Sequence, residues 1–397
     1  MSTPPEVPTG DPLRLFIACA PGLEPLLTTE VQGLDLSPTP TAGGVECDTD
    51  ISGVYRALLG SGLAQRVLLR LAAFRAVRFP QLQRELRALP WSRWLPTGCS
   101  VRMKVTSKKS RLYHSGAVAE RCLFVLEECV KAQPGSAAEA GENAPIIIHL
   151  RLLNDQCTVS LDLVGSPQHE RGYRLNPGKA PLREDLARAL LLVAGYDGKG
   201  PVVDPCCGVG TLPIEAAWLA SGLPPGSQRQ FALQALPIAD AAIEQAVRSN
   251  WPSKPASSLP AIIGNDRDAT AIVAAGKNCK RSPFFEQICL QRGPLSAIEL
   301  PPLRGDERGL IVANPPYGHR IGNKQRLKDL YAALGHLRKR APAGYRLALV
   351  TSEPSLAAAV GLPLHSHLLT DLGGTKVRFY VEVDEPGESS PSSLARR

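Results

Sequence analysis

At 397 residues the chain is long enough for more than one hydrophobic core, so a catalytic domain and a separate recognition domain both fit. With 44% hydrophobic and 21% charged residues the composition excludes global disorder, and the longest apolar run, around Leu186 to Ala194, contains Arg188 and is far short of the roughly 20 residues that span a bilayer. Basic residues outnumber acidic ones, 45 to 37, and the formal charge of +8 favours a polyanionic partner without establishing one.

Residues 1–11 lack the positive and apolar regions of a secretory leader and read as a flexible lead, which points to a cytoplasmic protein without a membrane partner. A short apolar run from Leu13 to Cys19 reads as a strand, Pro21-Gly22 as a turn, and the amphipathic stretch Leu23 to Leu34 as a helix. A helix near 117–131, an Ala/Gly/Pro-rich surface loop at 133–145 and strands at 146–152 and 158–164 follow. A domain boundary is expected just after the last of these, dividing 12–165 from 166–384. Beyond it the rhythm changes: short β-rich runs at Val202-Val203, Ala261 to Ile263, Leu310 to Ala313 and Arg346 to Thr351 alternate with helical stretches. This is the pattern of a doubly wound parallel sheet, whose ligand lies beyond the carboxyl ends of the strands. Pro/Ser-rich segments at 222–227 and 251–260 look like insertions around one more helix, and 385–397 reads as a disordered tail. The ten cysteines form no C-x-x-C pair, so they read as buried reduced thiols, and no metal is expected.

Val202 to Thr211 places a glycine-bearing turn between a buried strand and the helix Leu212 to Ala220. Gly208 and Gly210 remove side chains where a backbone must approach a ligand or adopt positive φ. The turn lacks the G-K-[ST] of a P-loop, and Pro213 stands where a dinucleotide fingerprint would place its third glycine. Asp204 at the strand end suits a ligand carrying an ammonium group, and Cys207, Gly208, Gly210 and Thr211 are candidate contacts beside it. After the next strand, Asp266 is placed to accept from both hydroxyls of a ribose, while Asp268 suits the N-cap of the following helix. A tight strand-to-helix turn with no ligand is the plain alternative.

The most informative stretch is Leu310 to Gly318, where an apolar strand runs directly into Asn314-Pro315-Pro316-Tyr317. Two prolines cannot continue a ladder and hold the backbone stiffly, so the Asn314 side-chain oxygen and the Pro315 carbonyl can converge on one spot. Paired acceptors fit an exocyclic NH₂, a weak nucleophile whose geometry they adjust for in-line attack on a sulfonium methyl. Tyr317 is placed to stack on the base that carries the amine. A structural strand terminator is the alternative. Upstream, Arg102, Lys104, Lys108, Lys109 and Arg111 lie within ten residues, on an expected strand and loop, as candidate RNA-phosphate contacts. A solvated loop is the alternative there. Trp91 and Trp94 suit packing better than base stacking.

These residues resemble the Asn-Pro-Pro-Tyr class of class I methyltransferases, which modify exocyclic amines of bases. His169-Glu170-Arg171-Gly172-Tyr173-Arg174, followed by Ala180-Pro181-Leu182-Arg183-Glu184-Asp185-Leu186-Ala187, resembles the segment leading into the cofactor domain of the THUMP-containing 23S rRNA guanine-N2-methyltransferases, where it packs over the cofactor. Ala18-Cys19-Ala20-Pro21-Gly22-Leu23-Glu24 is similar to that family's opening strand, turn and helix, and Ser107 to Ser115 to part of its THUMP module. The resemblance implies an α/β chain: an N-terminal ferredoxin-like unit with a THUMP module, then a Rossmann-like class I methyltransferase domain with a mostly parallel sheet and an antiparallel last strand, Thr375 to Val383. It implies S-adenosyl-L-methionine as cofactor, with Asn314 touching both cofactor and base, and 23S rRNA or a ribosomal assembly intermediate as partner. The single-methyltransferase form is expected from the position of this domain in the chain. Where the family has an acid near the adenine amine, Gln291-Arg292-Gly293-Pro294 presents proline, which implies either that a backbone carbonyl or Ser296 substitutes or that cofactor affinity is lower. A tRNA guanine-N2-methyltransferase and a non-catalytic RNA-binding assembly factor are the remaining alternatives.

Overall fold

The computed structural model describes residues 12–136, 145–175, 182–251, 259–318 and 324–383. The expected lead at 1–11 and tail at 385–397 lie outside the described residues, as do Ala180, Pro181, His319 and Arg320. Two compact units emerge, one made of Met1–Ala20, Glu24–Arg171 and Pro224–Trp251, the other of Pro21–Leu23, Gly172–Leu223 and Pro252–Arg397.

The first unit holds strands β1 (Leu13–Ala18), β2 (Thr39–Thr41), β3 (Gly44–Thr49), β4 (Arg66–Arg75), β5 (Ser100–Lys108), β6 (Gln133–Pro134), β7 (Ile146–Leu153) and β8 (Gln156–Asp162). They form one sheet in the order β2-β3-β1-β4-β8-β7-β5-β6, with β5 parallel to β6 and β7 and the other pairs antiparallel. Residues paired across antiparallel strands share a face, and Leu15↔Leu69, Leu69↔Leu161, Ile148↔Leu161 and Leu150↔Val159 make one apolar face that is fully buried. The helix Ile51–Gly60 begins where Asp50 accepts from the Gly53 N–H at 2.8 Å, a cap worth about 1 kcal/mol. Trp91 packs as its sequence context suggested: it is buried, and its indole N–H donates to the Leu86 carbonyl at 2.7 Å.

The second unit contains β9 (Val202–Asp204), β10 (Ile262–Asp266), β11 (Ile288–Arg292), β12 (Gly309–Ala313), β13 (Tyr345–Thr351), β14 (Leu364–Leu372) and β15 (Thr375–Glu382). Their order is β11-β10-β9-β12-β13-β15-β14, parallel from β11 to β13, with β15 antiparallel to both neighbours. This is the mostly parallel class I methyltransferase sheet. From β9 the chain winds outward to β11, then returns to place β12 on the other side of β9, so the switch point is the β9/β12 junction. One face of this sheet is packed by Val203, Ile311, Leu347 and Leu349 against Tyr331, Leu334 and Leu337 of the helix Lys324–Lys339. In the helix Thr211–Ser221, Trp218 meets Phe284 edge-on with ring centroids 5.2 Å apart.

The chain leaves the first unit at Arg171 rather than near residue 166, and it returns for Pro224–Trp251. The extra helix, Ala241–Ser249, thus packs with the first unit although it was expected among the strands of the second. Long-range bonds hold it there: the Asp240 N–H donates to the Tyr55 hydroxyl at 3.0 Å, and the Gly226 N–H to the Leu59 carbonyl at 2.8 Å. Among the described residues no helix is long and apolar enough to cross a membrane.

Candidate active site

Three parallel strand ends set the geometry. Asp204 of β9 lies opposite Gly264 of β10, and Val203 opposite Ile311 of β12, so Asp204, Asp266 and Asn314 leave the sheet at the same carboxyl edge. The turn after β9 fits its glycines: Gly208 has φ +54° with open space where a Cβ would stand, and Gly210 has φ +86°. A Cβ at Gly210 would also come within 3.2 Å of the Ala275 methyl. These are positions that an L side chain would strain.

Asp266 organises this turn. Its Oδ2 accepts from the Gly208 N–H at 3.0 Å and its Oδ1 from the Asp268 N–H at 2.9 Å. Each oxygen keeps a further lone pair, so two ribose hydroxyls can still donate to it. Asp268 takes the capping role expected of it, accepting from the Thr270 N–H at 2.8 Å. Asp204 is only 1% exposed and accepts from the Cys206 N–H at 3.0 Å. Burial pushes its carboxyl well above the usual range against that hydrogen bond, and the charge of Asp266 adds to the rise. A cationic ligand at this edge relieves both effects, so the donor set fits a molecule carrying an ammonium and a ribose. Burial, followed by the charge of Asp204, pushes the thiols of Cys206 and Cys207 up, which leaves them protonated and poor nucleophiles. Among the described residues no cluster of His, Cys, Asp or Glu could hold a metal ion.

The Asn-Pro-Pro-Tyr segment follows β12 directly. The Asn314 Oδ1 is buried and has no hydrogen-bond partner among the described residues. An orphaned acceptor of this kind costs about 1–3 kcal/mol unless a ligand satisfies it. Pro315 is buried, and the loop is tied down where the Gly318 N–H donates to Glu353 Oε1 at 3.0 Å. Tyr317 is half-buried against the Tyr331 and Leu356 cluster, and burial pushes its hydroxyl up to about 12. Its ring is therefore held on one side by the core of the unit.

Two contributors, Asn265 and Asn278, escaped the sequence reading. Asn265, 2% exposed, donates to the carbonyls of Pro205 at 3.2 Å and Gly293 at 3.1 Å, joining the glycine turn to the end of β11. Asn278, 1% exposed, accepts from the Leu175 N–H at 3.0 Å and donates to the Val209 carbonyl at 2.9 Å. Arg174 donates to Glu184 at 2.8 Å, to the Leu182 carbonyl at 2.9 Å and to the Thr211 hydroxyl at 3.0 Å. Arg174 thus ties its segment to the start of the helix that follows the glycine turn. Polar side chains on the buried side of an otherwise apolar strand and helix were the available signal for Asn265 and Asn278. Asn278→Ala should weaken S-adenosylmethionine binding about tenfold by freeing the Val209 carbonyl of the turn and the Leu175 N–H beyond Arg174. Calorimetry checks this, and an unchanged affinity would remove Asn278 from the support of the site.

The RNA-binding candidates lie in the first unit. Arg102, Lys104 and Lys108 alternate along β5 and share one side, whereas Lys109, at φ +52°, and Arg111 lie past its end. Arg111 is exposed, and its backbone N–H donates to Asp155 at 2.8 Å.

Residues 171–363 match the family model of an RMKL-like methyltransferase domain, and residues 14–68 that of an RlmL ferredoxin-like domain. The chain is 33% identical over 366 residues to the ribosomal RNA large subunit methyltransferase K/L of Syntrophotalea carbinolica, covering 89% of this chain and 51% of that protein. Its identity to the protein of the same description from Pseudomonas aeruginosa is 30% over 406 residues, covering 97% and 56%. The chain spans about half the length of the curated relatives it matches. Among solved structures, one described as a predicted N6-adenine-specific DNA methylase from Listeria monocytogenes superposes with a TM-score of 0.82 at 28% identity, covering 93% of this chain and 96% of that one. SMU.472, solved in complex with SAH, gives 0.82 at 25% identity, covering 96% and 100%. Residues 171–363 thus have the fold of class I methyltransferases and are similar to the RMKL-like methyltransferase domain, and methyltransferases of this class depend on S-adenosylmethionine.

Proposed function

We propose that the chain methylates the exocyclic 2-amino group of a guanine in 23S rRNA, as naked RNA or in an assembling large-subunit particle. Residues 12–165 serve as a ferredoxin-like and THUMP RNA-binding region and 166–384 as the catalytic domain, apart from 166–171 and 224–251, which fold with the first unit; the chain acts in the cytoplasm. The observation that carries this reading is the buried Asn314 Oδ1 at the end of β12, which has no partner among the described residues.

Bound S-adenosylmethionine supplies an electrophilic methyl on a sulfonium. Asp266 accepts from the ribose hydroxyls, Cys207, Gly208, Gly210 and Thr211 line the turn, and Asp204 faces the ammonium end. Asn314 Oδ1 and the Pro315 carbonyl accept from the target NH₂, Pro316 stiffens the loop, and the free face of Tyr317 stacks on the flipped base. The amine needs orientation more than a strong base, because its lone pair is delocalised into the ring; fixed acceptors provide it. An adenine amine would fit the same acceptors. The names of the curated relatives favour ribosomal RNA, and the Arg-Gly-Tyr-Arg resemblance favours guanine.

Nucleoside mass spectrometry of rRNA and tRNA from a deletion strain tests this. Loss of N2-methylguanosine from 23S rRNA with tRNA unchanged is the expected result. Loss confined to tRNA, or no loss in either, would contradict it.

A further inference from the structure

The second face of the eight-stranded sheet in the first unit differs in character from its apolar face. Register aligns Arg70 of β4, Ser160 of β8, His149 of β7 and Lys104 of β5 in a single row across four strands. At the spacing of neighbouring strands this row is roughly 14 Å long. Arg151 and Thr106 continue it one pleat further along β7 and β5. Together with Phe16 these residues line an open cleft of about 100 Å³.

The acids near the cleft are already committed. Asp162 is fully buried, with Arg66 at 3.0 Å, His149 Nε2 at 3.1 Å and the Val164 N–H at 2.9 Å. Glu46 pairs with Arg14 and Arg70. Lys104 and the exposed Arg151 have no ion-pair partner among the described residues, and the buried Nε of Arg70 has no acceptor. Burial and the charge of Arg66, partly offset by Asp162, hold the Lys104 ammonium below its usual range, as befits a place with surplus positive charge.

We propose that this sheet face is a phosphate-binding track for the RNA backbone, contacted through Arg70, Lys104 and Arg151. The proposal rests on RNA being the substrate. The track shares Lys104 with the basic run of β5, whose Arg102 and Lys108 lie on the same side, and adds Arg70 of β4 and Arg151 of β7 to it. The phosphate rather than the base is the group recognised, because the row presents cationic groups while Phe16 is buried beneath the Arg70 guanidinium at 4.3 Å and the His149 ring is held by Asp162 at 3.1 Å. The track therefore binds RNA with little sequence preference and strong salt dependence.

The test uses the full chain and a fluorescent oligouridine of about 20 nucleotides, with affinity followed from about 50 to about 200 mM salt. A single-stranded phosphate contact contributes about 0.7 to the slope of log affinity against log salt, so the Lys104→Gln/Arg151→Gln variant should have a slope shallower by about 1.4. Its affinity at the lower salt should fall at least about tenfold. Arg151→Gln alone, at an exposed position, should lower the slope by about 0.7 and serves if the double variant does not fold. An unchanged slope in the folded variants would overturn the track. Altered sedimentation of the RNA-free protein with an unchanged slope would assign the face to a second copy of the chain and overturn it equally. Failure of the unaltered chain to bind either this probe or 23S rRNA would instead remove the RNA reading of the function, an outcome separable from the other two.

Discussion

Asn314→Ala should lower the single-turnover methyl-transfer constant by about 10²–10³ and leave S-adenosylmethionine affinity nearly intact. The side-chain oxygen is buried without a partner among the described residues, and the substitution removes the acceptor while leaving β12 and the prolines after it in place. In the proposed site the cofactor is held chiefly by the turn after β9 and by Asp266, whose own hydrogen bonds the substitution leaves in place. The loss therefore falls on the chemical step. Asn314→Asp keeps an acceptor but adds a charge beside the sulfonium, so cofactor binding should tighten while transfer still falls. Rapid-quench transfer at saturating RNA and cofactor measures both variants. Near-normal transfer by the alanine variant would remove the acceptor role of Asn314.

Asp266→Ala should weaken S-adenosylmethionine binding at least about 10²-fold, the largest expected effect on the cofactor. Two losses combine: the ribose loses a charged acceptor, and the N–H groups of Gly208 and Asp268 lose the carboxylate that fixes the turn. A hydrogen bond to a charged group contributes about 1.5–3 kcal/mol, and 10²-fold corresponds to about 2.7 kcal/mol, so the ribose bond alone reaches it and the loosened turn makes 10²-fold a lower bound. Asp266→Asn retains one carbonyl acceptor and should lose less. Calorimetric titration distinguishes the variants, and an alanine variant that binds as tightly as the unaltered chain would move the ribose elsewhere.

Local signals made the catalytic half readable in advance. The strand running into Asn314-Pro315, the paired glycines of the turn and the Asp268 cap each act over a few residues, and each has its structural counterpart. What stayed hidden depends on distant partners. Asn265 and Asn278 gain their roles from carbonyls and N–H groups far along the chain, and Glu353 holds Gly318 from the end of β13. The segment 224–251 lies between strands of the second unit in sequence, yet Arg229 donates to the carbonyls of Ser166, Pro167 and Glu170 in the first. Nothing local announces such bonds. β14 was equally silent, since it is a largely exposed edge strand with a register shift between Ser366 and Leu368, and exposure removes the apolar alternation that marks a strand.

The most direct measurement is incubation of the purified chain with 23S rRNA and isotopically methyl-labelled S-adenosylmethionine, followed by digestion to nucleosides and identification of the labelled product. The account predicts label in N2-methylguanosine, which is abolished by Asn314→Ala under single-turnover conditions. Label in N6-methyladenosine, or no transfer to RNA alongside transfer to DNA, would contradict it.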